Sequence, residues 1–214
     1  NLHYAFYNMG FTCLRFNFRG VGRSQGEYDQ GIGELSDAAS ALDYLQAQNP
    51  NARTCWVAGF SFGAWIGMQL LMRRPEISGF ISVAPPANMY DFTFLAPCPA
   101  SGLIINGSAD RVVPPDDVTG LVERLQQQKG ITISHETVPD AGHFFESGMD
   151  TMIDSVTGYV TRRLGEPDIR QGGLIGQMPP AGIFSEKKIK VRCARHKPGG
   201  RSLSCLGNLW AVRG

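Results

Sequence analysis

No run of apolar residues in this chain approaches the roughly 18 that a membrane-spanning helix needs, so no bilayer partner is expected. Cysteines are few and odd in number (Cys13, Cys55, Cys98, Cys193 and Cys205), and none is spaced like a metal ligand. Cys13 and Cys55 lie inside apolar runs, as buried thiols of a reducing, cytoplasmic compartment do. Neither sign of charge prevails overall, with 20 Lys and Arg against 19 Asp and Glu. That balance conceals a division. Residues 1–164 hold 11 basic and 16 acidic side chains, whereas residues 165–214 hold 9 and 3. No internal repeat is present. Residue 1 is Asn rather than Met, so a leader peptide is neither seen nor excluded.

What the 214 residues do contain is a globular body with enough apolar content, 43%, to bury a core. Short β-rich runs alternate with helical periods. Gly10–Phe18, Thr54–Ala58, Phe80–Ala84, Leu103–Asn106 and Ile131–Val138 read as strands. Helices are predicted around Leu35–Leu45, Ala64–Arg74, Asp116–Gln128 and Phe145–Leu164. The alternation predicts an α/β fold, a three-layer sandwich around a mainly parallel sheet. After Leu164 the periodicity ends, and residues 165–214 form a basic Gly/Pro-rich tail of linker or disordered composition, with Lys187–Cys193 a candidate short strand.

The chemistry centres on Gly59-Phe60-Ser61-Phe62-Gly63. A G-x-S-x-G pentapeptide alone is weak, because this composition yields roughly 0.2 such matches by chance. Its context is informative. It joins the TCWVA strand directly to the AWIGMQLLMRR helix, the setting of a nucleophile elbow, where small residues must flank a strained serine. A serine needs a base, and the base an orienting carboxylate. Asp110 follows the fourth strand and His143 the fifth, in the chain order Ser, acid, His. Both then lie beyond the C-terminal ends of strands, where open α/β sheets bind ligands. Among their rivals, His3 lies near the start, His135 within a strand and His196 in the tail. Asp116 and Asp117 read as caps of the helix after Pro114-Pro115. Gly20-x-Gly22-x-x-x-Gly26 is not a dinucleotide loop: Gln25 stands where glycine is required, and no helix follows at once.

On Asn17–Ser24, Gly59–Gly63, Asn106–Asp110 and Gly142-His143, residues 1–164 resemble the α/β-hydrolase superfamily, near its small capless bacterial-type branches of dienelactone-hydrolase and serine-peptidase kind. Dienelactone hydrolases carry a cysteine nucleophile, so Ser61 disfavours that activity. The resemblance implies Ser61 as nucleophile, His143 as base, Asp110 as orienting acid and the Phe62 amide as one oxyanion donor, with no cofactor or metal. The Arg19–Gly22 segment matches a structural turn of the family. Aligned with the family's strands, Gly10–Phe18 is the fourth, so the first three and the second oxyanion donor are expected to precede residue 1. Nothing in the tail is read as replacing the third strand.

Seventeen residues, Pro85–Ser101, stand where many hydrolases insert a cap, so an open site is expected, rimmed by Tyr90, Phe92, Phe94, Phe144 and Phe145. The function inferred is a serine hydrolase of carboxylic esters, thioesters or small amides, partnered by a small acyl substrate. The alternative is an inactive fold used for binding or as a scaffold. Nucleic-acid binding rests on the tail alone, which lacks interleaved aromatics. Oligomeric state is not legible.

Overall fold

The computed structural model describes residues 2–166 and the strand 209–213, the latter by its backbone. The body alternates strands and helices in chain order: α1 (Leu2–Asn8), β1 (Thr12–Arg15), α2 (Ile32–Gln48), β2 (Cys55–Phe60), α3 (Phe62–Leu71), β3 (Gly79–Val83), β4 (Gly102–Gly107), α4 (Pro115–Gln126), β5 (Ile133–Val138) and α5 (Met149–Gly165). The last strand is β6 (Leu209–Arg213).

Six strands form one sheet in the order β1-β6-β2-β3-β4-β5. β2, β3, β4 and β5 run parallel, from Trp56 opposite Gly79 to Gly107 opposite Val138. β3 and β4 are buried along their whole lengths, as strands covered on both faces must be. Alternate side chains feed two cores. Cys55, Val57, Phe80 and Ile104 point to one face and pack with α2, α3 and α4 through Leu42, Ile66 and Val118. Trp56, Ala58, Ile81, Leu103 and Ile105 point to the other and meet Phe6 of α1 and Val156 of α5. The result is a three-layer α/β/α sandwich, as the alternation in the sequence predicts.

The sheet departs from the sequence reading at one place. β1 does not touch β2; β6 lies between them and is antiparallel to both, with Cys13 opposite Val212 and Val57 opposite Ala211. A segment of the basic tail therefore supplies the strand that the reading left unfilled. Its ladder satisfies backbone groups of both neighbours, which an open gap would leave without partners. The candidate strand Lys187–Cys193 and most of the tail fall outside the described residues.

Local differences have local causes. Helix α5 begins at Met149 rather than Phe145, because Phe145 and Gly148 adopt positive φ (55° and 84°) that ends the preceding loop. Asp116 and Asp117 sit in the first turn of α4, where their charges favour the helix dipole, and Pro114 takes the cap position. Helix α2 is closed by Glu34, whose buried carboxylate accepts hydrogen bonds from the backbone N–H of Gly31 (2.9 Å) and Asp29 (2.8 Å). The Arg19–Gly22 turn is structural. Arg19 donates from Nε and Nη2 to the two carboxylate oxygens of Asp37 at 3.0 and 2.8 Å, pinning the turn to α2.

Candidate active site

Three loops leave the C-terminal ends of β2, β4 and β5 and converge. The first is the shortest. Ser61 alone joins β2 to α3, with φ 49° and ψ −121°, a backbone region that a residue with a side chain occupies only under constraint. The constraint is visible: Ser61 N–H donates to the Val83 carbonyl at 2.8 Å, and the Ser61 carbonyl accepts from Ala64 N–H at 2.8 Å. Gly59 permits the bend, because a Cβ there would run into the Gly63 carbonyl and lie 2.6 Å from Ala64 N. Phe62 N–H opens the first turn of α3 beside Ser61, where no preceding turn of helix supplies it an acceptor.

The second loop carries Asp110, whose side chain is fully buried. Its Oδ1 accepts two backbone hydrogen bonds, from Val112 N–H (2.8 Å) and Val113 N–H (2.9 Å). That fixes the carboxylate and leaves Oδ2 facing the third loop. The third loop is drawn in by Ala109 N–H donating to the Ala141 carbonyl at 3.0 Å, and by Asp140 N–H donating to Ser108 Oγ at 2.8 Å. Gly107 is required here, since a Cβ would collide with the Ala141 carbonyl. His143 follows on this loop and is 7% exposed.

The outcome is a single hydrogen-bonded line. His143 Nδ1 stands 2.8 Å from Asp110 Oδ2, and His143 Nε2 stands 3.0 Å from Ser61 Oγ. With the proton on Nδ1, the imidazole donates to the carboxylate and its Nε2 lone pair accepts the serine hydroxyl. Such a line can relay a proton from a hydroxyl to a ring nitrogen while a buried charge steadies the ring. The structure thus brings Ser61, Asp110 and His143 together and sets the Phe62 amide at the helix start next to Ser61. His135 lies apart, with Nε2 at 2.7 Å from Asn106 Oδ1, and His3 stacks on Tyr7 of α1. Among the described residues no cluster of His, Cys, Asp and Glu has the grouping of a metal site. No described helix is long and apolar enough to cross a membrane.

The aromatic surroundings differ from the expected rim. Phe92 and Phe145 are core residues, 4% and 1% exposed, and Phe94 stacks against Phe92 at 6.1 Å. Phe144 is 46% exposed and meets the His143 ring edge-on at 5.2 Å. Tyr90 stacks on Trp65 at 4.3 Å and touches Phe62. Three aromatic neighbours were not foreseen. Phe60 lies 5.1 Å from His143, while Tyr28 and Trp65 flank Phe62 at 5.8 and 5.7 Å. The pentapeptide itself contained the signal for Phe60, because the residue before the serine must border the same opening.

Comparison with known proteins agrees with this architecture. Residues 1–99 match the family described as alpha/beta hydrolase fold. An uncharacterized protein of Rickettsia prowazekii is 49% identical over 164 residues, which are 75% of this chain and 69% of that protein. The crystal structure of a protein of unknown function from Agrobacterium tumefaciens, described as a candidate alpha/beta hydrolase, is 64% identical, with a TM-score of 0.75 over 77% of this chain and 75% of that one. An alpha/beta serine hydrolase without lid from Xanthomonas campestris is 36% identical, with a TM-score of 0.61 over 71% and 66% of the two chains. A mainly parallel sheet between two helical layers, a strained serine after its second strand and relatives of this closeness have one reading: the chain belongs to the α/β-hydrolase superfamily.

Proposed function

We propose that the protein is a serine hydrolase acting on carboxylic esters, thioesters or small amides through an acyl-enzyme. The observation that carries the reading is the continuous hydrogen-bonded line from Asp110 through His143 to Ser61. Ser61 Oγ attacks the acyl carbon while its proton passes to His143 Nε2, and the carbonyl π electrons move onto oxygen. Asp110 holds the ring by Nδ1 and stabilises the imidazolium. The oxyanion is met by the Phe62 N–H, and a single such donor is worth about 2.7–4 kcal/mol in the transition state. As the tetrahedral intermediate collapses, the bond to the leaving heteroatom breaks and His143 returns the proton to it. Water then repeats the sequence, with His143 as base, and the acid is released. All atoms in this cycle come from the substrate, water and side chains, so the reaction as written calls for no cofactor.

The short Pro85–Ser101 connection supports a site without a helical cap, and the Xanthomonas relative is described as lacking a lid. Burial pushes the Cys13 thiol up to about 12, so it is no rival nucleophile. The test is fluorophosphonate labelling with turnover of 4-nitrophenyl acyl esters. Labelling should vanish in Ser61→Ala, and ester turnover should fall to background. Equal labelling of Ser61→Ala and the parent would overturn the assignment, and a folded parent without turnover would favour a scaffold.

A further inference from the structure

An aromatic ring exposed beside a buried imidazole has no packing role to explain it. Phe144 follows His143 directly, remains 46% exposed and touches His143 (5.2 Å) and Phe60 (6.0 Å). Its neighbour Phe145 is 1% exposed and serves the core, so the loop spends one of two adjacent rings on the surface. Phe60 meets the same imidazole, 5.1 Å from His143. The two phenylalanines and the imidazole form one cluster, with ring centroids 5.1 to 6.0 Å apart.

We propose that Phe144, with Phe60, is the leaving-group platform of the enzyme and selects substrates whose leaving alcohol, thiol or amine carries a flat apolar ring. The inference rests on the reading of His143 as the group that returns a proton to the leaving heteroatom. That transfer requires the heteroatom within hydrogen-bond reach of Nε2. Whatever is bonded to it then extends over the residues bordering the imidazole, which are Phe60 and Phe144. A ring there gains offset or edge-on contact with both, while a two-carbon chain covers little of either.

Benzyl acetate and ethyl acetate make the comparison clean. They share an acyl group, and their alcohols differ little in basicity, so the ratio of kcat/KM values reports the ring. The parent is expected to prefer benzyl acetate, and Phe144→Ala to lower the benzyl-to-ethyl ratio about 2- to 10-fold, the range of one aromatic pair contact. Phe144→Tyr should restore the ratio to within about twofold, since it keeps the ring face. Leu164→Ser, which removes an exposed apolar side chain from the far end of α5, should leave the ratio unchanged. An unaltered ratio in Phe144→Ala, or no benzyl preference in the parent, would overturn the proposal while fluorophosphonate labelling of Ser61 left the hydrolase reading standing. Loss of labelling in the parent would sink both.

Discussion

Replacing Asp110 by Asn tests the hydrogen-bonded line more sharply than removing it. Asp110 Oδ1 accepts from two backbone amides, Val112 and Val113, in a side chain with no exposure to water. An Asn must choose which face to turn to them. If its NH2 faced the amides, both N–H donors would lose their acceptor, at about 1–3 kcal/mol for the buried one of Val113. The oxygen therefore stays on the amides, and the NH2 is presented to His143 Nδ1, where Oδ2 stood. Nδ1 must then accept, and the ring proton moves to Nε2, facing Ser61 Oγ. In that tautomer Nε2 has no lone pair for the serine proton. Losing the correct tautomer of such a histidine costs about 10⁴ in kcat, or about 5 kcal/mol in the barrier. The fold should hardly notice, because the loop keeps both amide bonds. The assay pairs steady-state hydrolysis of a 4-nitrophenyl ester with a thermal melt. We expect a fall of about 10⁴ with a melting point lowered by no more than about 4 °C. Turnover within tenfold of the parent, with the melt unchanged, would refute the role given to Asp110.

Other consequences are simpler to read. Gly59→Ala forces a Cβ onto the Gly63 carbonyl, so chemical denaturation should show a loss of about 1–3 kcal/mol, and Ser61 labelling should slow. Deleting residues 209–214 removes the strand that holds β1 to β2. Amides of Trp56 and Ala58, which face β6, should then lose hydrogen-exchange protection, and β1 should lose it entirely. His135 titrates below the ordinary histidine value of 6.5, chiefly because burial disfavours its charged form. The unfolded chain therefore binds a proton first, and stability falls as pH drops below about 6.5. Urea midpoints measured at pH 7.5 and 5.5 should differ less in His135→Gln than in the parent.

The sheet was legible where burial writes a pattern. Cys55–Phe60, Gly79–Val83 and Gly102–Gly107 are covered on both faces and appear in the sequence as short apolar runs between turn residues. The ends were less so, because edge strand β1 is only partly buried and its four residues sit inside a longer apolar stretch. Leu209–Arg213 escaped notice for a different reason. Five residues are too few to show a period, and its place between β1 and β2 is a long-range fact that no local window contains. Around the site, Ser61, Asp110 and His143 could be picked out because each follows a strand. Their mutual distances depend on hydrogen bonds such as Ala109 to Ala141, which no spacing reveals. Phe144 and Phe145 show the limit most plainly. Neighbours of one chemical type have opposite fates, decided by a positive φ at Phe145.

The antiparallel insertion of Leu209–Arg213 also has a consequence in time. Thr12 finds its ladder partner in Arg213, about 200 positions later, so β1 leaves the ribosome long before the strand it pairs with. At about 5–20 residues per second, that interval is roughly 10–40 s of synthesis. During it, β2 to β5 and their helices can assemble locally, while the ladders of β6 with β1 and β2 are still to form. The closing of this sheet is the slow, non-local event of its biogenesis, and chaperone dependence should concentrate there.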